Sequence, residues 1–215
     1  APHPSTPGEL PFRRRILDRW TTRIMTSGLP GTDLVGNYLH EKYIKNLSVH
    51  TIDNSGGTIL CFLRFLDREE SSILTLTRRD ISAFVEHEQD RGLKVASIIL
   101  HLRVIYAFVS YLVRKEAIPP EIMNPKVRMQ EPDALPKAIP YEDIECIFNA
   151  VTSVRDRALL MLLYRTGMRI GELLEVKVED IVLHDQKILL YIGSKNYEGR
   201  EVYYSSDAEQ ALKQW

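Results

Sequence analysis

The chain has 215 residues, 44% hydrophobic and 27% charged, which is enough apolar material for one large or two small cores and too balanced a mixture for general disorder. Its 28 basic and 29 acidic residues leave a net charge of -1, which excludes the overall basic surplus that commonly accompanies nucleic-acid binding, so any such affinity must come from a local patch. Cys61 and Cys146 are the only cysteines, far apart and each within an apolar helical pattern, which argues against a disulfide framework or a cysteine-held metal and fits a reducing, cytoplasmic setting.

Charge is spread evenly along the chain. Residues 1–36 hold five basic and three acidic side chains, residues 37–140 hold 14 and 13, and residues 141–215 hold 9 and 13, so no region is strongly basic. The longest apolar runs, such as Ala158 to Tyr164, are far shorter than the roughly 20 residues of a membrane helix. No membrane partner is expected, and no signal-peptide pattern opens the chain. The chain begins at Ala1 and not Met, which points to a processed or partial chain.

Four prolines within residues 1–12 predict a flexible lead-in, the start of an extension over 1–32. Arg13, Arg14 and Arg15 follow, either as the solvated face of a short amphipathic helix or as contacts to a nucleic-acid backbone. From Asp33 to Asn124 apolar residues recur at three- and four-residue spacing, which predicts helices near 34–46, 51–67, 78–91 and 94–116. Thr77 is a good N-cap for the third of these, and Arg91-Gly92 a stop signal. Gly56-Gly57 inside the second predicts a bend or a close approach by another element. In the fourth, Ile98, Leu102, Ile105, Val109 and Leu112 form one seam, leaving Lys94, Ser97, His101 and Arg103 largely outside it.

Prolines at 119, 120, 125, 132, 136 and 140 then punctuate a charged stretch, which predicts an interdomain linker over 127–138 and a domain boundary within it. Beyond it, a helix opens at Tyr141-Glu142-Asp143, a second runs from Val154 to Arg165 and stops at Gly167, and a third covers about 169–176. The period then changes, and residues 187–192 and 200–204 read as a β-hairpin around Gly193, Ser194, Asn196 and Gly199. Ser205-Ser206-Asp207 caps a last helix.

Arg169 follows a glycine stop and opens a helix, where backbone N–H groups and the helix dipole favour an anion and a guanidinium can grip phosphate with two bonds. Glu172, one turn on, could orient it. A plain i,i+3 ion pair on a helix surface is the competing reading. The segments Arg155–Leu160 (RDRALL), Tyr164–Leu174 (YRTGMRIGELL) and Val176–Ile181 (VKVEDI) resemble the box around the first catalytic arginine of tyrosine recombinases of the phage-integrase kind. The hairpin segment Ile192–Arg200 (IGSKNYEGR) is similar to that family's lysine hairpin, with Lys195 in the lysine's place and Arg200 five residues later. More weakly, Asp80–Val85 (DISAFV), Arg91–Ile98 (RGLKVASI) and Tyr111–Arg114 (YLVR) resemble its core-binding domain, although Leu100 and Tyr106 stand where family members often carry basic residues.

The resemblance implies a mainly α, two-domain chain. A helical, four-helix, SAM-like core-binding domain over 33–126 would precede the first part of an α+β catalytic domain over 139–215 with a small antiparallel sheet. It implies metal-free, cofactor-free transesterification on double-stranded DNA by a homo-oligomer, a tetramer in the family, in the cytoplasm and on the nucleoid if bacterial. A tyrosine attacks the phosphodiester to form a 3'-phosphotyrosyl link. Arg169 would clamp nonbridging oxygens, and Lys195 would protonate the departing 5'-oxygen. Lys94, Ser97, His101, Arg103 and Arg200 would contact DNA, although His101 can equally be a half-buried helix histidine.

The family's His-x-x-Arg box and nucleophile have no match among these residues, and Tyr203 and Tyr204 fall on a strand as core or sheet-face residues. The chain alone is therefore expected to be inactive in strand transfer, with the apolar faces of helices 158–164 and 170–176, near Leu159, Leu163 and Leu173, left uncovered. Two other readings stay open: a naturally short, noncatalytic DNA-binding protein, and a helical protein-interaction module.

Overall fold

A computed structural model describes residues 9–131, 135, 137–191 and 199–215. It is mostly helical with one three-stranded antiparallel sheet, and it divides into two compact units, Ala1–Asp133 and Ala134–Trp215.

The first unit contains α1 (Glu9–Met25), α2 (Thr32–Ile44), α3 (Val49–Arg68), α4 (Arg78–Asp90) and α5 (Val95–Arg114), then a 3-10 turn at Pro120–Met123. Four of these helices were expected, within a few residues. Helix α1 was expected only as a short amphipathic helix at Arg13–Arg15; it is 17 residues long, and Ile16, Leu17, Trp20 and Ile24 are all buried. It packs on α2 and α3 as part of the core, so the expected extension over 1–32 is corrected from Glu9 onward. Arg13 is 3% exposed and serves neither expected role. Its guanidinium donates to the Asn46 side chain and to the Tyr43 and Leu47 carbonyls, which tie off the end of α2.

The Gly56-Gly57 pair is explained by close approach. A Cβ at Gly56 would lie 2.5 Å from the Trp20 indole, so glycine there lets α1 sit directly on α3. The indole N–H donates to Asp53 at 2.6 Å. Thr77 caps α4 reciprocally with Asp80. The seam of α5 is buried from Ile98 to Leu112. At 20 residues α5 is also long and apolar enough to cross a membrane, a feature that contiguous runs miss because His101, Arg103 and Ser110 interrupt it. Here it is a core helix, its seam buried against α2, α3 and α4.

The second unit contains α6 (Tyr141–Ala150), α7 (Val154–Thr166), α8 (Ile170–Glu175), β1 (Ile181–Val182), β2 (Lys187–Leu190), β3 (Arg200–Tyr203) and α9 (Ser206–Gln214). The expected hairpin is present as β2 and β3, with β1 added at the edge in the order β1-β2-β3. Two residues are too few to show alternation, which is why β1 escaped a sequence reading. Ile188 pairs with Val202, and Leu190 with Arg200. Ile188, Leu190 and Val202 bury one sheet face among Leu162, Met168, Leu173 and Ala208. Tyr204 is buried, while Tyr203 faces outward and its hydroxyl donates to Glu201 at 2.9 Å.

The expected apolar opening is relocated. Leu173 is buried, and Leu159 and Leu163 are half-buried. Exposed apolar residues of this unit include Tyr141 and Ile147 on α6, which buries none of its residues, together with Tyr164, Ile170, Leu174, Val178 and Trp215.

Candidate functional site

The corner between α7 and α8 is built by Gly167, whose φ of 62° is a left-handed conformation that costs glycine least. The turn delivers Arg169 in extended backbone just ahead of α8. Glu172, three residues on, accepts from the Arg169 backbone N–H through Oε2 at 2.8 Å and from its guanidinium through Oε1 at 3.0 Å. That carboxylate already occupies the start of α8, which is only six residues long. Of the backbone N–H groups at this turn, that of Arg169 is thus taken by Glu172.

A second arginine completes the arrangement. Arg200, at the first position of β3, sends Nη1 to Glu172 Oε1 at 3.1 Å and Nη2 to Oε2 at 2.8 Å, a two-pronged pair. The Glu172 side chain is fully buried, whereas those of Arg169 and Arg200 are 48% and 41% exposed. Two guanidiniums thus share one carboxylate, leaving one positive charge in excess and outward N–H groups open to solvent. The Glu172 carboxyl is held below its ordinary range, chiefly by the Arg169 backbone N–H and then, against the opposing effect of burial, by the two guanidiniums. Glu172 was expected beside Arg169. Its bond to Arg200, 28 residues away, depends on the hairpin register and leaves no local trace in the sequence.

Lys195 lies outside the described residues. Next to Glu172 a cleft is bordered by Glu175, Glu179 and Asp180 together with Lys177, a wall that is acidic on balance. No metal-competent group of three His, Cys, Asp or Glu side chains occurs among the described residues.

The four candidates on α5 do not share a face. At 3.6 residues per turn, Lys94, Ser97 and His101 fall on one side, while Arg103 points roughly opposite. Arg103 lines a separate cleft with Tyr106, Lys126 and Arg128. Lys94 and Ser97 are exposed, but His101 is half-buried with Nδ1 3.1 Å from Glu88, a fully buried carboxylate that also pairs with Arg91. Glu88 escaped notice because an acid in an amphipathic helix reads as surface.

Two family models match the chain in order: "Phage integrase, N-terminal SAM-like domain" over residues 37–116 and "Phage integrase family" over 137–215. Among curated relatives, the tyrosine recombinase XerC of Staphylococcus aureus strain bovine RF122 / ET3-1 is 25% identical over 193 residues, covering 83% of this chain and 63% of that protein. XerC of strain MSSA476 is 27% identical over 194 residues, with the same coverage. The chain thus spans less than two thirds of the length of these relatives. Among solved structures, the XerH site-specific recombinase bound to palindromic difH substrate matches with a TM-score of 0.64 at 18% identity, covering 100% of this chain and 70% of that one. The Tn1549 transposon integrase in complex with a circular intermediate DNA matches at 0.63 and 14% identity, covering 85% and 63%. With its two units matched in sequence order by models of one family, and its fold shared with these structures, the chain belongs to the phage integrase family of tyrosine recombinases.

Proposed function

We propose that this chain is the DNA-binding portion of a site-specific tyrosine recombinase, acting in the cytoplasm on duplex DNA within a homo-oligomer. The observation that carries the reading is the pair of half-exposed guanidiniums of Arg169 and Arg200 fixed on the buried Glu172. A rigid, half-neutralised arginine pair suits a phosphoryl centre, because charge gathers on the nonbridging oxygens during transfer and prepositioned donors need no reorganisation to meet it. Arg169 and Arg200 would hold those oxygens. Lys195 would give its proton to the 5'-oxygen as the P–O5' bond breaks and a tyrosine oxygen bonds to phosphorus.

No tyrosine of this chain is assigned as that nucleophile. Tyr203 is engaged with Glu201, and Tyr204 is buried in the sheet. The 215-residue chain should therefore bind duplex DNA with steeply salt-dependent affinity, yet form no covalent adduct with a nicked duplex that traps phosphotyrosyl links. Absence of binding at low salt would overturn the DNA reading, and a covalent adduct would overturn the noncatalytic one.

A further inference from the structure

Gly199 was expected among the turn residues of the hairpin, but the structure sets it at the hairpin's base. Leu190 of β2 pairs with Arg200 of β3, so Gly199 stands one step beyond that pair, beside Tyr191. A Cβ at Gly199 would lie 2.8 Å from the Tyr191 carbonyl oxygen, 3.0 Å from the Leu190 carbonyl oxygen and 3.2 Å from the Tyr191 carbonyl carbon. All three are backbone atoms, which cannot swing aside as the end of a side chain can. The φ of Gly199 is not in the left-handed region, so glycine is required here for room and not for conformation.

With any other residue at this position, β2 and β3 would have to separate by about 0.5 Å, from 2.8 Å to an ordinary C···O approach of about 3.3 Å. The two strands are not equally free to yield. Leu190 is buried in the core of the second unit with Met168 and Leu173, whereas Arg200 is partly exposed and opens β3, so the shift falls on Arg200. Its guanidinium meets Glu172 through two bonds, of 3.1 and 2.8 Å, and Glu172 is itself held by the Arg169 backbone N–H. A two-pronged bond fixes direction as well as distance. A half-ångström displacement of the strand must then be absorbed by off-rotamer torsions in Arg200, or by stretching one prong past the roughly 3.2 Å reach of a good hydrogen bond.

We infer that Gly199 is a positioning residue: by carrying no side chain it lets Arg200 lie close against the end of β2, where its guanidinium closes both bonds to Glu172 and keeps its remaining N–H groups turned to solvent. The inference rests on the reading of Arg169 and Arg200 as a phosphate-gripping pair, and it adds a residue that acts only through its neighbour. Groups at such a centre must be held to within about 0.5 Å of their working geometry, which is the size of the displacement that a Cβ at Gly199 would impose.

The test uses the full 215-residue chain, labelled duplex DNA at low salt, and a double-mutant cycle between Gly199→Ala and Arg200→Gln. Gly199→Ala should weaken duplex binding roughly tenfold, the scale of one charge-assisted contact. In NMR it should speed the exchange of the Arg200 guanidinium protons with solvent while leaving the backbone amide signals of α7 and α9 in place. In the Arg200→Gln background the same change should alter affinity by less than about twofold, because no guanidinium is left to misplace. Unchanged guanidinium exchange in Gly199→Ala, or an equal loss of affinity with and without Arg200, would overturn the inference. If Gly199→Ala does not fold, the double variant should, since its strand is released from Glu172; failure of both to fold would overturn it as well. A wild-type chain that binds no duplex at low salt would defeat the phosphate reading, and the exchange of the Arg200 protons would still decide whether Gly199 seats that side chain on Glu172.

Discussion

The two units bury their apolar residues to very different depths. In the first, large side chains such as Phe62, Phe84, Phe108, Ile52 and Ile105 are fully enclosed, and Phe84 meets Phe62 edge-on at 5.1 Å. In the second, the only hydrophobic residues with no exposure among those described are Ala158, Ile188 and Ala208, and α6 buries nothing. The first unit holds itself together with hydrocarbon. The second relies more on a polar knot in which Glu172 joins α8 to β3. Its arginine pair is therefore both a candidate site and a structural tie.

The largest test of this contrast is Phe84→Ala, which should cost about 3–5 kcal/mol by cavity formation. In calorimetry it should lower the transition of the first unit and leave that of the second in place; a matching drop in both would show that the units do not unfold separately. Glu172→Ala should cost the second unit about 2 kcal/mol, the scale of hydrogen bonds to a charged group. It should lower duplex affinity as well, since Arg169 and Arg200 lose their common anchor.

The same carboxylate predicts a pH dependence. Its folded pKa lies below the ordinary 4.5, so the unfolded state binds the proton more readily. The stabilisation is fully present above about 4.5 and is lost as pH falls through the lower folded value. Acid unfolding of the second unit should lose this dependence in Glu172→Gln, and an unaltered acid profile would count against the tie. The smallest effect is expected from Ile147→Ser on exposed α6: stability should change by no more than about 0.5 kcal/mol, while binding of a fluorescent apolar dye should fall.

Legibility in the sequence followed the range of the interaction. Local signals, such as the α5 seam, the Thr77 cap and the Gly167 stop, were readable because periodicity and capping act over a few residues. Gly56-Gly57 announced a close approach without naming Trp20 as what approaches. Arg169 and Glu172 could be paired because they lie one turn apart. The bonds from Arg200 to Glu172 and from His101 to the buried Glu88 join residues distant in the chain, and regional charge counts average such contacts away. The length of helix α1 and its place in the core were missed because prolines at its entry and three successive arginines outweighed four apolar residues at helical spacing.

Helix α5 carries a consequence for biogenesis. Its 20 residues have a mean hydropathy of 1.8 across the window that would qualify it as a membrane span, and nothing intrinsic to the segment marks it otherwise. What distinguishes it is order of synthesis. Helices α1 to α4, which supply the surfaces that enclose its seam, all leave the ribosome first, and domains fold as units from the N-terminal side. The most insertion-prone stretch of the unit thus emerges last, when its docking surface has already been made.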